Sequence, residues 1–337
     1  MTYSSTPNSP LRLGDLLEGQ TASHIVIAAD DLGWWDQLLG GARAIVPATG
    51  LQRSLAQALS RIGWLEPAAE GAPGYRLTAE GREIAFNRGF VRVTTLGWEP
   101  TFRALGAEAA GADRISARTA PGEVAAGCTE IAHRHPETIK AIAARIAVDE
   151  APGTTIDLGC ADGGRMQVIG ELAPRESLVG VDIEAGVIEA ARRRLAGTAL
   201  AERFRLRSGS VLPGGPGAGL PEWLDDGVRR DVTTAMTFFL LHQLATERGG
   251  IDRVLAGWGE WFPNLRRLVI GDVVRASGRH WHEQPWFAPT FEFYHEVTGV
   301  KTWSVEEYAA AFAATGWRVA EHHDADHAVF ETWILER

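Results

Sequence analysis

Two histidines in the second half of the 337-residue sequence have the side chains best suited to chemistry. His242 follows the apolar segment 238–241, and His295 follows the aromatic segment 291–294. An imidazole ionises near neutral pH, so either ring suits the role of a general base. Two imidazoles that face one cavity also form a possible metal site, and a two-histidine set with open positions is typical of non-haem iron. Two simpler alternatives remain: His242 only caps the helix that follows it, or the two rings form a hydrogen bond.

A glycine-rich turn within residues 155–164 indicates a second site. A buried strand that runs through such a turn into a helix directs backbone N–H groups at an anionic ligand. Ala161 stands where a dinucleotide motif has its second glycine, so a pyrophosphate site is disfavoured. Asp182 ends the next strand, where a carboxylate can accept both hydroxyls of a ribose. We therefore predict a bound ligand at this turn; the alternative is one of the many glycine-rich turns of α/β proteins that bind nothing.

Alternating strands and helices from residue 153 onward must position both sites. Such alternation predicts an α/β fold with a parallel sheet and helices on both faces. The last two strands are separated only by residues 324–327, so we expect an antiparallel hairpin at one edge of a seven-stranded sheet. The predicted strands are 154–158, 177–183, 204–210, 231–239, 265–274, 317–323 and 328–335, and residues 302–314 should form the helix before the hairpin.

The first half of the chain has the pattern of a winged helix. Helical spacing of apolar residues covers 25–39 and 51–62, and short strands at 63–65 and 75–78 precede another helix from Ala79. The function could be DNA binding or dimerisation. Residues 51–92 carry six arginines against four glutamates, which is too small an excess for a basic reading face. The predicted domains are a dimerisation domain at 1–105, a helical connector at 106–152 and a catalytic domain at 153–337.

The composition limits the classes of partner. The formal charge is −10, from 33 basic and 43 acidic residues, whereas a nucleic-acid-binding protein needs a basic face. No apolar run approaches the roughly 18 residues of a membrane span, and the first residues lack the pattern of a secretion signal. Cys128 and Cys160 are the only cysteines, which is typical of a reducing compartment. We expect a cytoplasmic protein that binds neither nucleic acid nor membranes.

These features resemble the S-adenosylmethionine (SAM)-dependent methyltransferases. The Asp157-x-Gly159 turn, Asp182 and the terminal hairpin resemble the Rossmann-like methyltransferase fold, and the winged-helix front half resembles the O-methyltransferase-like group, whose members dimerise through that domain. The resemblance implies that Gly159 approaches the methionine part of SAM and that Asp182 holds the ribose. Ser210 stands where many relatives have an aspartate near the adenine. The implied cofactor-binding residues are Asp157, Gly159, Asp162, Asp182, Ile183, Ser210, Val211 and Thr237.

A narrower resemblance concerns the histidines. Trp98, His242 preceded by leucine, His295 preceded by tyrosine, and the total length resemble the iron-containing C-methyltransferases of α-keto acids. In that family two histidines hold the iron, and the keto acid chelates it through its carboxylate and keto oxygens. The resemblance implies that His242 and His295 are catalytic metal ligands. It also implies methyl transfer to C3 of a phenylpyruvate-like or branched α-keto acid, in the biosynthesis of amino acids for secondary metabolites such as antibiotics.

The resemblance leaves the substrate contacts and the reaction open to alternatives. In O-methyltransferase relatives the segment at His242 reads leucine–histidine–aspartate, so Gln243 replaces a carboxylate that could orient the histidine. Two other readings compete with C-methylation: O-methylation of a phenol or hydroxyl with His242 as base and no metal, and a winged-helix regulator that keeps the cofactor fold as a sensor. Candidate substrate contacts are Trp98, Arg118 and Gln243, and aromatic candidates for the pocket wall are Trp98, Trp281, Trp286, Phe238 and Phe291.

Overall fold

The computed structural model describes residues 13–69, 73–134, 136–147, 153–215, 217–275, 288–324 and 330–337. The chain divides into two compact units, Met1–Arg103 with Arg118–Arg134, and Ala104–Ala117 with His135–Arg337. The residues predicted to form a connector are thus shared between the two units. Trp281 and Trp286 lie outside the described residues. Among the described helices, none has the length and apolar character needed to cross a membrane.

The first unit has the helix–strand–strand–helix order expected of a winged helix. Thr49 and Thr78 cap the two central helices, because each side chain accepts a hydrogen bond from the backbone N–H of the first helical turn. The single helix predicted at 25–39 is wrong: Gly33 adopts a left-handed conformation and separates two helices. The elements are α1 (Leu13–Asp31), α2 (Trp34–Leu39), α3 (Gly50–Arg61), β1 (Leu65–Pro67), β2 (Tyr75–Leu77), α4 (Ala79–Arg92), a π-helix (Val93–Gly97), α5 (Glu99–Glu108), which belongs to the second unit from Ala104 onward, and α6 (Pro121–Arg134).

The second unit contains a seven-stranded sheet, which confirms the predicted α/β class. The strand order is β5-β4-β3-β6-β7-β9-β8; neighbours from β5 to β7 are parallel, and β9 pairs antiparallel with both β7 and β8. The order reverses at β3, so a crevice opens there at the carboxyl ends of β3 and β6. The strands are β3 (Thr154–Leu158), β4 (Ser177–Asp182), β5 (Phe204–Ser208), β6 (Val232–Phe238), β7 (Arg267–Val273), β8 (Arg318–Asp324) and β9 (Phe330–Glu336).

Helices cover both faces of this sheet. Every residue of β3 and of β7 is buried, as expected for parallel strands packed on two sides. One apolar cluster unites the sheet with α10, α11, α12 and α14, and another unites it with α7, α8 and α9. The helices are α7 (Pro136–Ala147), α8 (Gly164–Leu172), α9 (Ala185–Leu195), α10 (Asp226–Asp231), α11 (Leu241–Arg248), α12 (Ile251–Trp261), α13 (Ala288–Thr298) and α14 (Val305–Ala314).

Candidate active site

A sharp turn between β6 and α11 positions His242. Phe239 adopts a left-handed conformation with φ of 56°, which is rare for an aromatic residue, and its N–H donates to the carbonyl of Gly271 on the adjacent strand at 2.8 Å. The turn ends β6 and starts α11 at Leu241, so His242 lies in the first turn of the helix at the carboxyl edge of the sheet. Its side chain is only 2% exposed. Backbone strain of this kind often accompanies functional sites.

Asp272 of β7 holds the His242 ring. The His242 Nδ1 atom lies 2.7 Å from Asp272 Oδ1, and the backbone N–H of His242 donates to Oδ2 at 2.7 Å. The Tyr308 hydroxyl donates to the same Oδ2 at 2.9 Å. The carboxylate that orients His242 therefore comes from the neighbouring strand β7 and not from position 243, which Gln243 occupies. Gln243 itself has an exposed side chain on α11.

His295 of α13 faces His242. The two Nε2 atoms are 3.2 Å apart, and the Nδ1 atom of His295 lies 2.7 Å from the carbonyl oxygen of Phe291, one helical turn earlier. The Phe291 ring packs against His295, with 3.9 Å between ring centroids. Burial, followed by the neighbouring His242, lowers the pKa of His295 to about 3. The structure thus brings together the two histidines that the sequence analysis paired.

The hydrogen-bond partners fix which ring nitrogen of each histidine carries a proton. The Nδ1 atoms of His242 and His295 face a carboxylate oxygen and a carbonyl oxygen, which only accept, so each Nδ1 must donate. In a neutral ring the lone pair is then on Nε2. Two Nε2 lone pairs would face each other at 3.2 Å, which is stable only if a proton or a metal ion lies between them. Within the described ranges no group of three or more His, Cys, Asp or Glu side chains could hold a metal ion.

The glycine-rich turn after β3 forms a second part of the site. Gly159 and Gly163 have positive φ angles, and Ala161 between them has φ of 48°. Asp182, at the end of β4, stabilises this loop: its Oδ2 accepts from the Ala161 N–H at 3.1 Å and its Oδ1 from the Glu184 N–H at 3.0 Å. A Cβ atom on Gly159 would lie 2.6 Å from the side chain of Leu240. Only glycine satisfies both the backbone angle and the close approach.

Asp157, at the base of this loop, is a buried carboxylate with unsatisfied oxygens. Neither oxygen has a hydrogen-bond partner among the described residues, and the nearest cation is Arg165, whose Nη2 lies 3.4 Å away. Burial raises the pKa of Asp157 to about 6, although Arg165 opposes the shift. Arg165 also donates to the carbonyl of Gly159 at 2.8 Å and lies over the Phe238 ring. A cationic group of a ligand would satisfy the Asp157 oxygens.

Two further candidates for cofactor binding, Asp162 and Thr237, also stabilise the loop and its strand. Asp162 accepts from the Gly164 N–H at 3.2 Å and pairs with Arg194. Thr237 of β6 is buried and donates to the carbonyl of Leu158, the last residue of β3, at 2.9 Å. Both side chains therefore fix the carboxyl ends of the central strands, where the ligand is expected.

The predicted adenine region follows β5. The Ser210 hydroxyl accepts from the Leu212 N–H at 3.2 Å, and the Ser210 carbonyl accepts from the Trp223 indole at 2.8 Å. Val211 is buried, whereas Ile183 is 66% exposed at the end of β4. An apolar side chain exposed to this extent beside Asp182 is suited to contact with a planar ligand ring. The cofactor-binding assignments of these residues stay predictions.

The other predicted substrate contacts lie in the first unit. Trp98 is buried and packs edge-on against Phe102, with ring centroids 6.4 Å apart. Arg118 is exposed, and its backbone N–H donates to the Thr101 hydroxyl at 2.9 Å. Their part in substrate binding stays a prediction.

Three residues at the site were not predicted from the sequence, namely Asp272, Tyr308 and Arg165. Asp272 is the only acid in the apolar stretch 265–274, and an acidic residue in a buried strand is a signal that could have found it. Arg165 begins a helix directly after the glycine turn, where an arginine is otherwise unremarkable. Tyr308 carries no distinguishing signal, because a tyrosine at a core position of a helix is ordinary.

Comparison with known proteins gives the class of this fold. No protein-family model matches the sequence. A putative O-methyltransferase structure from Nostoc punctiforme superposes with a TM-score of 0.66 at 17% identity, over 98% of this chain and 100% of that one. Human N-acetylserotonin methyltransferase in complex with SAM superposes with a TM-score of 0.65 at 14% identity, over 96% of each chain. The fold is that of the O-methyltransferase-like SAM-dependent methyltransferases.

A relative with known activity supports the same class. Indolepyruvate C-methyltransferase from Streptomyces griseus is 26% identical over 341 aligned residues, which cover 96% of this chain and 94% of that protein. Similarity along nearly the whole length, together with the fold and the glycine turn, defines this protein as a SAM-dependent methyltransferase. The relatives act on small molecules.

Proposed function

We propose that the enzyme transfers the methyl group of SAM to C3 of an α-keto acid, phenylpyruvate-like or branched, with a metal ion held by His242 and His295. The observation that carries this proposal is the 3.2 Å separation of the two Nε2 atoms, with both Nδ1 atoms already hydrogen-bonded to acceptors. The similarity to an indolepyruvate C-methyltransferase supports the substrate class, since indolepyruvate is an aromatic α-keto acid. We place the reaction in the biosynthesis of modified amino acids for secondary metabolites.

The donor set fits a first-row metal such as iron. Two histidine nitrogens that bind one ion at about 2.1 Å, in tetrahedral or octahedral positions, are about 3.0–3.4 Å apart. The measured 3.2 Å lies in this range. Hydrogen bonds from Nδ1 to a carboxylate and to a carbonyl are the arrangement usual for metal-bound histidines. With only two protein ligands among the described residues, positions remain for the carboxylate and keto oxygens of the substrate.

The metal would supply Lewis acidity, which polarises the keto oxygen and makes the C3 proton easier to remove. The protein's own groups would prepare the site for this. Asp272 and the Phe291 carbonyl hold both rings with Nε2 towards the same point, so no reorientation is needed when substrate binds. The rings are 2% and 3% exposed, and the buried Phe291 and Tyr294 side chains exclude water around them.

The glycine turn would place SAM beside this centre. Asp182 would accept the ribose hydroxyls, and Gly159 would allow the close approach of the methionine part. The unsatisfied Asp157 carboxylate would attract the α-ammonium group. Positioning of this kind can lower a barrier by several kcal/mol, because methyl transfer requires the carbon and the sulfonium in line. Asp162, Ile183, Ser210, Val211 and Thr237 would complete the cofactor site.

O-methylation without a metal is the second candidate function. The buried pair of His242 and Asp272 favours it, because a carboxylate that orients an imidazole and stabilises its protonated form is the usual partner of a general base. In this reaction His242 Nε2 would remove the proton of a phenol or hydroxyl. His295 would then accept a hydrogen bond from the protonated ring.

We also propose a homodimer through the first unit. Helix α1 exposes Leu13, Leu16 and Leu17 at 72%, 60% and 57%, which is unusual for three leucines in one turn and a half of helix. A groove of about 940 Å³ beside them is lined by Leu16, Thr94, Leu96 and Phe102, among others. Light scattering of wild type and of Leu16→Glu tests this proposal: a wild-type dimer that becomes monomeric supports it, and a wild-type monomer contradicts it.

Methyl transfer from isotope-labelled SAM distinguishes the two reactions. The enzyme is assayed against phenylpyruvate, indolepyruvate, a branched keto acid and a catechol, with and without chelator. The proposal expects C3-methylated keto acid, loss of product with chelator and recovery with Fe²⁺. His295→Ala should lose bound metal and activity, whereas His323→Ala, a matched change on edge strand β8, should keep both. A methylated catechol with no chelator effect would instead establish O-methylation.

A further inference from the structure

Tyr308 connects helix α14 to the histidine site. Its side chain is fully buried, and its hydroxyl donates to Asp272 Oδ2 at 2.9 Å, with the Val273 carbonyl at 3.3 Å. The ring stacks on Trp333 of β9, with centroids 4.8 Å apart and planes at 26°. Helix α14 itself is held at its start by a capping box of Ser304 and Glu307. The hydroxyl therefore has a fixed position relative to the sheet.

The hydrogen bonds of Asp272 show why this hydroxyl matters. Oδ1 accepts from His242 Nδ1 and from the Val273 N–H, and Oδ2 accepts from the His242 N–H and from Tyr308. Among the described residues no arginine or lysine forms an ion pair with this carboxylate. Within the described part of the chain, Tyr308 is the only side chain besides His242 that donates a hydrogen bond to this carboxylate. If a buried carboxylate loses one of its four hydrogen-bond donors, it becomes freer to rotate, and one of its oxygens is left only partly satisfied.

The geometry points to Tyr308 as a positioning residue: by donating to Asp272 Oδ2 it fixes the carboxylate so that Oδ1 accepts the Nδ1–H of His242 and the His242 Nε2 lone pair faces His295. This inference deepens the proposed function and rests on it for the part that His242 plays in methyl transfer. The effect on the ring does not depend on the reaction, because both a metal ligand and a general base need the lone pair on Nε2.

A packing role alone does not account for the hydroxyl. A phenylalanine would keep the stack on Trp333 and would bury no polar group. Phe312 of the same helix also contacts Trp333, edge-on at 5.6 Å, and is fully buried. The Phe312 side chain cannot form a hydrogen bond with Asp272. A substitution at Phe312 therefore alters the packing against Trp333 and leaves the Tyr308 hydroxyl in place. Phe312→Leu is therefore the matched control for Tyr308→Phe.

The test compares wild type, Tyr308→Phe and Phe312→Leu as full-length enzymes. After removal of paramagnetic metal with chelator, the imidazole ¹⁵N and ¹H resonances report the tautomer of His242. Steady-state methyl transfer gives kcat and KM for keto acid and for SAM. We expect Tyr308→Phe to populate the second His242 tautomer and to lower kcat by about 10- to 100-fold, the usual effect of losing an outer partner of a functional histidine. The KM for SAM should stay unchanged, and Phe312→Leu should keep the wild-type tautomer and kcat.

Three other results of this comparison would contradict the inference or the proposed function. A wild-type tautomer and kcat in Tyr308→Phe would overturn the inference. Equal losses in Tyr308→Phe and Phe312→Leu would also overturn it, since packing would then be the cause. If Tyr308→Phe changes the tautomer but not methyl transfer to any substrate, the positioning of His242 stands and its proposed part in the reaction fails.

Discussion

Asp272 Oδ1 lies 2.7 Å from His242 Nδ1, although the two residues belong to different elements and are thirty positions apart in the chain. The parallel pairing of β6 and β7 brings them together, because it aligns Phe238 with Gly271 and so places the turn after β6 beside Asp272. The ring of His242 is consequently held by the sheet itself. A histidine on a flexible loop would lack this constraint.

The first prediction concerns the charge of this acceptor. Asp272→Asn keeps the size of the side chain but replaces one acceptor oxygen by an NH₂ donor, which favours the wrong tautomer of His242. On the proposed function, we expect methyl transfer and the affinity for the metal ion both to fall by about 10- to 100-fold. Activity and metal analysis of the purified variant check this. Asp226→Asn, an exposed change on α10, is the control, and equal activity of the two variants would contradict the role of Asp272.

The second prediction concerns pH and Asp157. Its pKa is raised from 3.8 to about 6 by burial, so the folded protein binds this proton more tightly than the unfolded chain does. The free energy of unfolding of the enzyme without SAM should therefore fall as the pH rises from about 4 to about 6. Above that range, the ionisation of Asp157 should cause no further fall. Urea unfolding across pH 4–7 measures the slope. Asp157→Asn should reduce the fall, and an unchanged slope in that variant would rule out Asp157 as its source.

The central strands were predictable because their sequences admit few alternatives. Residues 154–158 run into a glycine-rich turn followed by a helix, and β3 covers the same five residues. The left-handed Gly33, which divides α1 from α2, was harder to predict because apolar spacing continues across it. Helix α6 was not predicted, although Pro121 at its first position is typical of a helix start. Local patterns thus specify strands well and helix ends less well.

The histidine site was only half predictable, for a physical reason. His242 was identified because it follows the apolar end of a predicted strand, and His295 because it follows the aromatic segment 291–294. Asp272 and Tyr308 acquire their roles from tertiary packing: one depends on the register of β6 against β7, the other on how α14 lies over β9. The spacing of residues along a single sequence does not show that Asp272 and Tyr308 meet beside His242.

The third prediction concerns the glycine turn. Gly159→Ala introduces a side chain at φ of 87° and a contact of 2.6 Å with Leu240. The left-handed conformation alone costs about 1–2 kcal/mol, and either the loop or the Leu240 side chain must also shift, so SAM affinity should fall by about tenfold or more. Calorimetry with SAM and thermal unfolding measure both effects.

Gly186→Ala is the matched control for this change. A Cβ atom there meets nothing within 4 Å, and the residue lies in helix α9. The substitution should stabilise the protein slightly, by up to about 1 kcal/mol, because alanine is the better helix former. Equal SAM affinity in the two variants would show that the close approach at Gly159 is not needed for binding.

The fourth prediction concerns Asp182, which accepts the Ala161 N–H at 3.1 Å. Asp182→Asn keeps one oxygen for only one of the two backbone N–H donors, those of Ala161 and Glu184, and loses the charge that would hold the ribose hydroxyls. A hydrogen bond to a charged group contributes about 1.5–3 kcal/mol, so the KM for SAM should rise by about 10- to 100-fold while the KM for the keto acid stays the same. Glu189→Gln, an exposed carboxylate change on α9, should alter neither constant. A rise confined to the keto-acid KM would instead place Asp182 at the substrate, because a ribose contact affects SAM alone.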